Sequence, residues 1–375
     1  MNNLKFLKEV ADPKYFDIPQ PKFKNKLMAF TLGYSKNKIE NINPYIYICN
    51  KTTIFDKELI SETLKCDFVF LKDEIVKKVY LGKLSPSEKK ELKTCVLELK
   101  KQFVSLVVFP EKDITVFGDT GEICQEMTEL LIGFGLDIKF VNFVGTYFVA
   151  PIWAPTIRKG KTKFAHQFTI KQEEIVDLSK QKAHELFQNY MPSSATVYAY
   201  KFPIELRSNN LACDLETIAY CCPTCGKFFS LYSEFNCLKC KECGSAVEMH
   251  PNGTILLSRN VRDFDELKTY QFKKLNKLEF TTLPLVEYEN ASRCAISPSG
   301  KIEILGDIKV SIYADKVVIT KNDFKFEFKI KDIVDFEILP RNTAKFTLKN
   351  DEQIILRGNN KENFYIIFDL IKIFN

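Results

Sequence analysis

Through the first half of the chain, short apolar runs of strand length alternate with segments whose apolar residues return every three or four positions. The runs are Pro44-Tyr45-Ile46-Tyr47-Ile48-Cys49, Asp67-Phe68-Val69-Phe70-Leu71, Phe103 to Phe109 and Ile138 to Val144. Their length and β-branched or aromatic content predict buried strands. After the first, Thr52 or Thr53 can cap a helix carrying Ile54, Leu59, Ile60 and Leu64 on one side. Ser85-Pro86-Ser87-Glu88 places a cap residue, a proline at the first helical position and a glutamate three after the cap. Leu92, Val96 and Leu99 then mark the buried stripe. A further helix is predicted from Thr120 to Phe134, with Ile123, Met127, Leu130, Leu131 and Phe134 inward and Gly135 at its end. Strands alternating with helices predict an α/β domain with a mostly parallel sheet and right-handed crossovers. In such sheets ligands sit beyond the carboxyl ends of strands, and Asn50 and Pro110 fall just past two of them.

From Gly300 the period changes to two. Seven strands are predicted: Lys301–Leu305, Ile308–Tyr313, Lys316–Thr320, Lys325–Ile330, Ile333–Ile338, Ala344–Leu348 and Gln353–Leu356. Asn322-Asp323 and Asn350-Asp351 supply turns, and a closing helix is read from Lys361 to Phe374. Seven strands and a closing helix resemble the pleckstrin-homology or GRAM-like fold, which implies a headgroup-binding or a packing module. Residues 171 to 210, with a turn-rich patch at Met191-Pro192-Ser193-Ser194, read as connecting chain, and His166 and His184 as surface histidines. The expected division is 1–170 α/β domain, 171–215 helical connector, 216–256 cysteine-rich segment, 257–296 connector and 297–375 β domain.

With 375 residues, 45% hydrophobic and 13% aromatic, the chain can build more than one core. Its net charge of +6 suits an anionic surface or a phosphorylated ligand as well as an ordinary solvated surface. No apolar run reaches the length that spans a bilayer, and charges run throughout Met1 to Asp12. The expected location is therefore cytoplasmic, with peripheral contact on the inner face of a membrane. Twelve cysteines in such a chain point to metal rather than disulfides.

Two blocks carry candidate chemistry. The first reads Asn50-Lys51-Thr52-Thr53-Ile54-Phe55-Asp56, the second Phe109-Pro110-Glu111-Lys112-Asp113-Ile114. Together they resemble the blocks of the glycerolipid (1-acylglycerol-3-phosphate) acyltransferases, Asn-His-x-x-x-x-Asp and Phe-Pro-Glu-Gly-Thr-Arg. Gly145-Thr146-Tyr147-Phe148-Val149-Ala150-Pro151-Ile152-Trp153, followed by Arg158, Lys159 and Lys161, resembles a later segment, Gly-x-Tyr-x-x-x-Pro-x-Trp, of bacterial members. The resemblance implies acyl transfer to lysophosphatidate or a related glycerolipid. In it the histidine takes the hydroxyl proton, the aspartate orients it, and the second block holds the phosphate-bearing acceptor. Carried onto this chain, the catalytic positions are Asp56 and Lys51, the latter standing where the histidine would be. The substrate-binding positions are Asn50, Pro110, Glu111 and Lys112, with Lys83 as the nearest match to a basic residue between the blocks. Implied partners are a lysophospholipid and an acyl donor, either acyl carrier protein or a coenzyme A thioester. Nucleic acid is not expected.

A free lysine titrates near ~10.4, so about one in a few thousand is neutral at pH 7; a useful base needs a downward shift worth roughly 4 kcal/mol. Asp56 would oppose it, so an ion pair with Asp56 or contact with an anionic ligand is the expected role of Lys51. Ile114 replaces the arginine that would clamp a phosphate, with Lys112 a partial substitute. Three readings follow: an impaired homologue that still binds a lipid, acyl donor or partner; an active enzyme using another base; and a zinc-ribbon interaction protein that keeps the fold without the pocket.

Cys222-Pro223-Thr224-Cys225-Gly226 and Cys240-Lys241-Glu242-Cys243-Gly244 are two Cys-x-x-Cys-Gly knuckles separated by 14 residues. Four thiolates so spaced suit a closed, structural zinc ribbon. Cys237 with Cys240 forms an alternative pair, and the glycine after Cys243 favours the set Cys222, Cys225, Cys240 and Cys243. The resemblance extends here, since bacterial acyltransferase relatives carry such a ribbon.

Overall fold

The computed structural model describes residues 4–19, 39, 43–121, 123–176, 178–191, 194–201, 204–256, 261–297 and 301–374. The chain divides into two compact units, one of Met1–Pro151 with Ile157–Arg207, the other of Ile152–Thr156 with Ser208–Asn375.

The first unit is built on a mixed six-stranded sheet. Its strands are β1 (Phe16–Asp17), β2 (Ile46–Cys49), β3 (Phe68–Leu71), β4 (Ser105–Val108), β5 (Ile138–Val144) and β6 (Lys163–Ile170), in the order β1-β3-β4-β2-β5-β6. The four central strands are parallel, with Ile46 opposite both Leu106 and Ile138. β1 and β6 are antiparallel edges. Every residue of β2, β3 and β4 is buried, as apolar runs covered on both faces should be. The helix Pro86–Lys101 starts as its sequence requires. Ser85 Oγ accepts from Glu88 N at 3.2 Å, and the Glu88 carboxylate accepts from Ser85 N at 2.9 Å. Leu92, Val96 and Leu99 are buried on its inner stripe, each contributing roughly 1.5–3 kcal/mol.

Several expectations change here. The helix predicted from Thr120 spans Gln125–Ile132. Neither Thr52 nor Thr53 caps the helix Asp56–Thr63, and Ile54 is exposed. The stretch read as connector holds the helix Lys180–Tyr190, whose Phe187 and Tyr190 pack on Phe140 and Phe168. His184 Nδ1 lies 3.2 Å from Thr128 Oγ1. The side chain of His166 and the turn residues 192–193 lie outside the described residues.

The second unit contains a small antiparallel sheet of β7 (Leu231–Glu234), β8 (Cys237–Cys240), β9 (Ala246–Met249) and β10 (Ile255–Leu256). It also contains an all-antiparallel seven-stranded sheet. Its strands are β11 (Val286–Ile296), β12 (Ile302–Ile312), β13 (Lys316–Lys321), β14 (Phe324–Lys329), β15 (Ile333–Leu339), β16 (Thr343–Leu348) and β17 (Gln353–Arg357), in the order β14-β13-β12-β11-β17-β16-β15. The count of seven matches the sequence expectation, but its members differ. The first two predicted strands are one strand, β12, irregular around Gly306, and β11 comes from the supposed connector 257–296. The closing helix is Tyr365–Phe374. It carries Asp369, whose carboxylate accepts from Tyr220 Oη at 2.7 Å beside the first knuckle. Burial pushes Asp369 up to about 6.

Candidate functional site

The four parallel strands all end at one edge of the sheet, and each end delivers a polar group there. Asn50, Lys51 and Thr52 follow β2, Asp73 follows β3, Glu111 follows β4, and Gly145 and Thr146 follow β5. This convergence is a consequence of parallel pairing alone.

Lys51 does not pair with Asp56. Its Nζ lies 3.3 Å from Asp73 Oδ1, and Lys57 reaches the other oxygen of the same carboxylate at 3.3 Å. Burial opposes ionisation of Asp73, but the two lysines outweigh it and hold the carboxyl below its ordinary range. Asp56 is occupied by its own loop. It accepts from Thr52 N at 2.6 Å, Thr53 N at 2.8 Å and Thr53 Oγ1 at 3.0 Å, with Thr52 Oγ1 at 3.2 Å. Thus the aspartate braces the turn after β2 and has nothing to orient at position 51. Burial pushes its carboxyl up to about 7 against these hydrogen bonds.

Asn50 is also committed. Its Oδ1 accepts from Phe143 N at 2.7 Å and its Nδ2 donates to Phe143 O at 3.2 Å, so the side chain extends the pairing of β2 with β5. Glu111 is buried; one oxygen accepts from Lys51 N at 3.2 Å and the other, Oε1, has no hydrogen-bond partner among the described residues. Burial drives its carboxyl well above the carboxylate range. Asn50, Lys51, Thr52 and Glu111 line a cavity of about 10 Å³ with Asp119, Gly145 and Thr146, room for one water molecule.

The remaining predicted binders stand apart from that cavity. Pro110 offers its carbonyl to Tyr80 Oη at 2.9 Å, Lys112 lies 4.0 Å from Asp113, and Lys83 is exposed. Arg158 turns inward, donating from Nη1 to Phe148 O at 3.0 Å, and Lys161 pairs with Glu205.

Gly118 closes the cavity at φ +80°, and a Cβ there would fall 2.7 Å from the ring of Tyr147, which is buried and donates to Val116 O. Gly118→Ala is expected to cost about 2 kcal/mol in denaturant unfolding, from left-handed strain and overpacking together.

In the second unit the two knuckles repeat one geometry. Gly226 N donates to Cys222 O, and Gly244 N to Cys240 O, at 2.9 and 3.1 Å. Both glycines take positive φ, +74° and +66°, as the tight turns require. The turns bring the four sulfur atoms within 4.8 Å of one another. Cys222 to Cys243 and Cys225 to Cys240 are each 3.8 Å, the edge of a tetrahedron with about 2.3 Å metal–sulfur bonds. Cys237 stands outside the group, in β8. Ser245, which the sequence did not single out, lies 3.1 Å from Cys243 Sγ and helps draw that thiol down to about 6. The four cysteines form a possible metal-binding site whose donors and spacing fit a closed tetrahedral ion.

Fold and site together define a protein with a mixed α/β unit, a carboxylate-lined pocket at its strand ends, and a second unit carrying a four-cysteine centre. No protein-family model matches the chain, and no curated protein matches it. Among solved structures the chain is similar to the 1-acyl-sn-glycerophosphate acyltransferase PlsC from Thermotoga maritima, at 17% identity over 45% of this chain and 75% of that one, with a TM-score of 0.33.

Proposed function

We propose that this chain is a glycerolipid-acyltransferase homologue that has lost histidine-based acyl transfer and acts by binding a lysophospholipid, an acyl donor or a partner protein, with zinc as the structural ion of its cysteine centre. The observation that supports it best is the commitment of both positions of the first block. Lys51 Nζ is tied to Asp73 and Asp56 to Thr52 and Thr53, so no acid–base pair remains there. The strand order and closing helix of the second unit favour the pleckstrin-homology or GRAM-like reading, and with it peripheral membrane contact. No helix among the described residues is long and apolar enough to cross a membrane.

The test is acyl transfer to lysophosphatidate by the purified full chain, with acyl-coenzyme A and acyl-carrier-protein donors. No turnover above the uncatalysed rate is expected, in wild type or in Lys51→Ala. Ordinary turnover abolished by Lys51→Ala would overturn the proposal. Lipids that co-purify, identified by mass spectrometry, would name the ligand.

A further inference from the structure

Two serines lie against the sulfur cluster of the second unit, and neither belongs to a Cys-x-x-Cys-Gly pattern. Ser245 Oγ is 3.1 Å from Cys243 Sγ and 3.6 Å from Cys222 Sγ, so it meets one sulfur of each knuckle. Ser230, which is buried, places its Oγ 3.2 Å from Cys240 Sγ.

The backbone puts Ser245 there. Cys222 N donates to Lys227 O and Cys240 N donates to Ser245 O, each at 2.9 Å, so positions 227 and 245 are equivalent in the two turns. The first knuckle has an exposed lysine at that position, and the second has a hydroxyl turned onto the cluster. Ser230 is fixed in a similar way, since its carbonyl accepts from Lys241 N at 2.9 Å.

A sulfur that binds a metal ion has lost its proton, which settles the direction of these contacts. The serine donates and the thiolate accepts. Four thiolates on a divalent ion leave a net charge of about −2 at the centre. Hydrogen bonds to sulfur draw part of that charge away and hold each ligand in place. Ser245 has one hydrogen, and the shorter contact assigns it to Cys243, with Cys222 the lesser acceptor. Ser230 Oγ is also 3.2 Å from Lys227 O, and the charged sulfur is the stronger of its two acceptors.

We propose that Ser245 and Ser230 are positioning residues of the metal centre: Ser245 clasps the two knuckles through Cys243 and Cys222, and both hydroxyls withdraw charge from the thiolates they meet. The inference rests on the reading of the four cysteines as a zinc site.

The test loads the full chain with cobalt(II) in place of zinc and reads the sulfur-to-cobalt charge-transfer bands. A hydrogen bond lowers the energy of the sulfur electrons, so Ser245→Ala is expected to move these bands to longer wavelength. Ser245→Thr keeps the hydroxyl and is expected to restore them. In competition with a chelator, Ser245→Ala is expected to hold zinc about tenfold less tightly than the wild type. Bands unmoved by Ser245→Ala in a chain that binds one cobalt overturn the inference alone. Bands moved equally by alanine and threonine also overturn it, because packing would then be the cause. A wild-type chain that takes up no cobalt and no zinc overturns the reading of the four cysteines, and the inference with it. If Ser245→Ala alone fails to take up cobalt, Ser230→Ala decides: bands shifted to longer wavelength support the inference, and unmoved bands overturn it.

Discussion

Stripping zinc from the full chain, or replacing Cys222 with serine, should unfold the segment from Tyr220 to Met249 while the mixed α/β unit stays folded. The segment has little else to hold it. Its three longer strands supply only Leu231, Leu238, Val247 and Met249 as buried aliphatic residues apart from the cysteines. So few apolar side chains leave the ordering of this segment dependent on its metal centre. Structural zinc in small ribbons is worth about 10–16 kcal/mol at neutral pH, the whole margin of an ordinary domain. About one zinc per chain is expected by metal analysis. Hydrogen exchange resolved by segment is the measurement: Cys222→Ser should lose protection between β7 and β9 and keep it in β2, β4 and β5. Cys237→Ser should change neither zinc content nor protection, because Cys237 lies outside the sulfur cluster. Protection retained by Cys222→Ser without metal would show that packing alone holds the ribbon.

That geometry was readable in the sequence because both knuckles are local: two turns, each closed by its own glycine. The strands of the α/β unit were readable for a similar reason, since β2, β3 and β4 are apolar on both faces and need no partner to be recognised. What escaped depended on sheet order. Asp73 lies 22 residues beyond Lys51 and no motif contains it; it meets Lys51 only because β3 and β2 flank β4 and all three point the same way. Spacing within the first block suggested Asp56 instead, since nothing in the sequence says that two threonines turn their amides and hydroxyls onto that carboxylate. β11 was missed because its register slips between Tyr288 and Ala291, which breaks the period of two. β6 was missed because Lys163, His166 and Gln167 interrupt its apolar run. The tie between β12's two halves was missed because Gly306 reads as a turn.

Asp56 carries the largest expected effect in the first unit. Asp56→Ala removes the acceptor of two backbone amides and two hydroxyls at once, and Thr52 and Thr53 are both buried, so water cannot replace it. At about 1–3 kcal/mol per unsatisfied buried group, the loss should reach roughly 3–5 kcal/mol. Asp56→Asn keeps an acceptor and should cost much less in unfolding by denaturant. The two variants also separate bracing from charge. The folded-state carboxyl is raised to about 7, above its unfolded value, so between about pH 4 and 7 the folded chain holds a proton that the unfolded chain has released. Stability from this group is therefore present at low pH and lost as pH rises through 7. Glu111 and Asp369 are raised by burial as well and add slope of the same sign, so the wild type alone cannot assign it. The difference between wild type and Asp56→Asn can: stability measured from pH 4.5 to 7.5 should fall less steeply in the variant. Parallel curves would mean that the four hydrogen bonds keep Asp56 ionised throughout. Asp56 would then be a fixed anion held by the turn after β2.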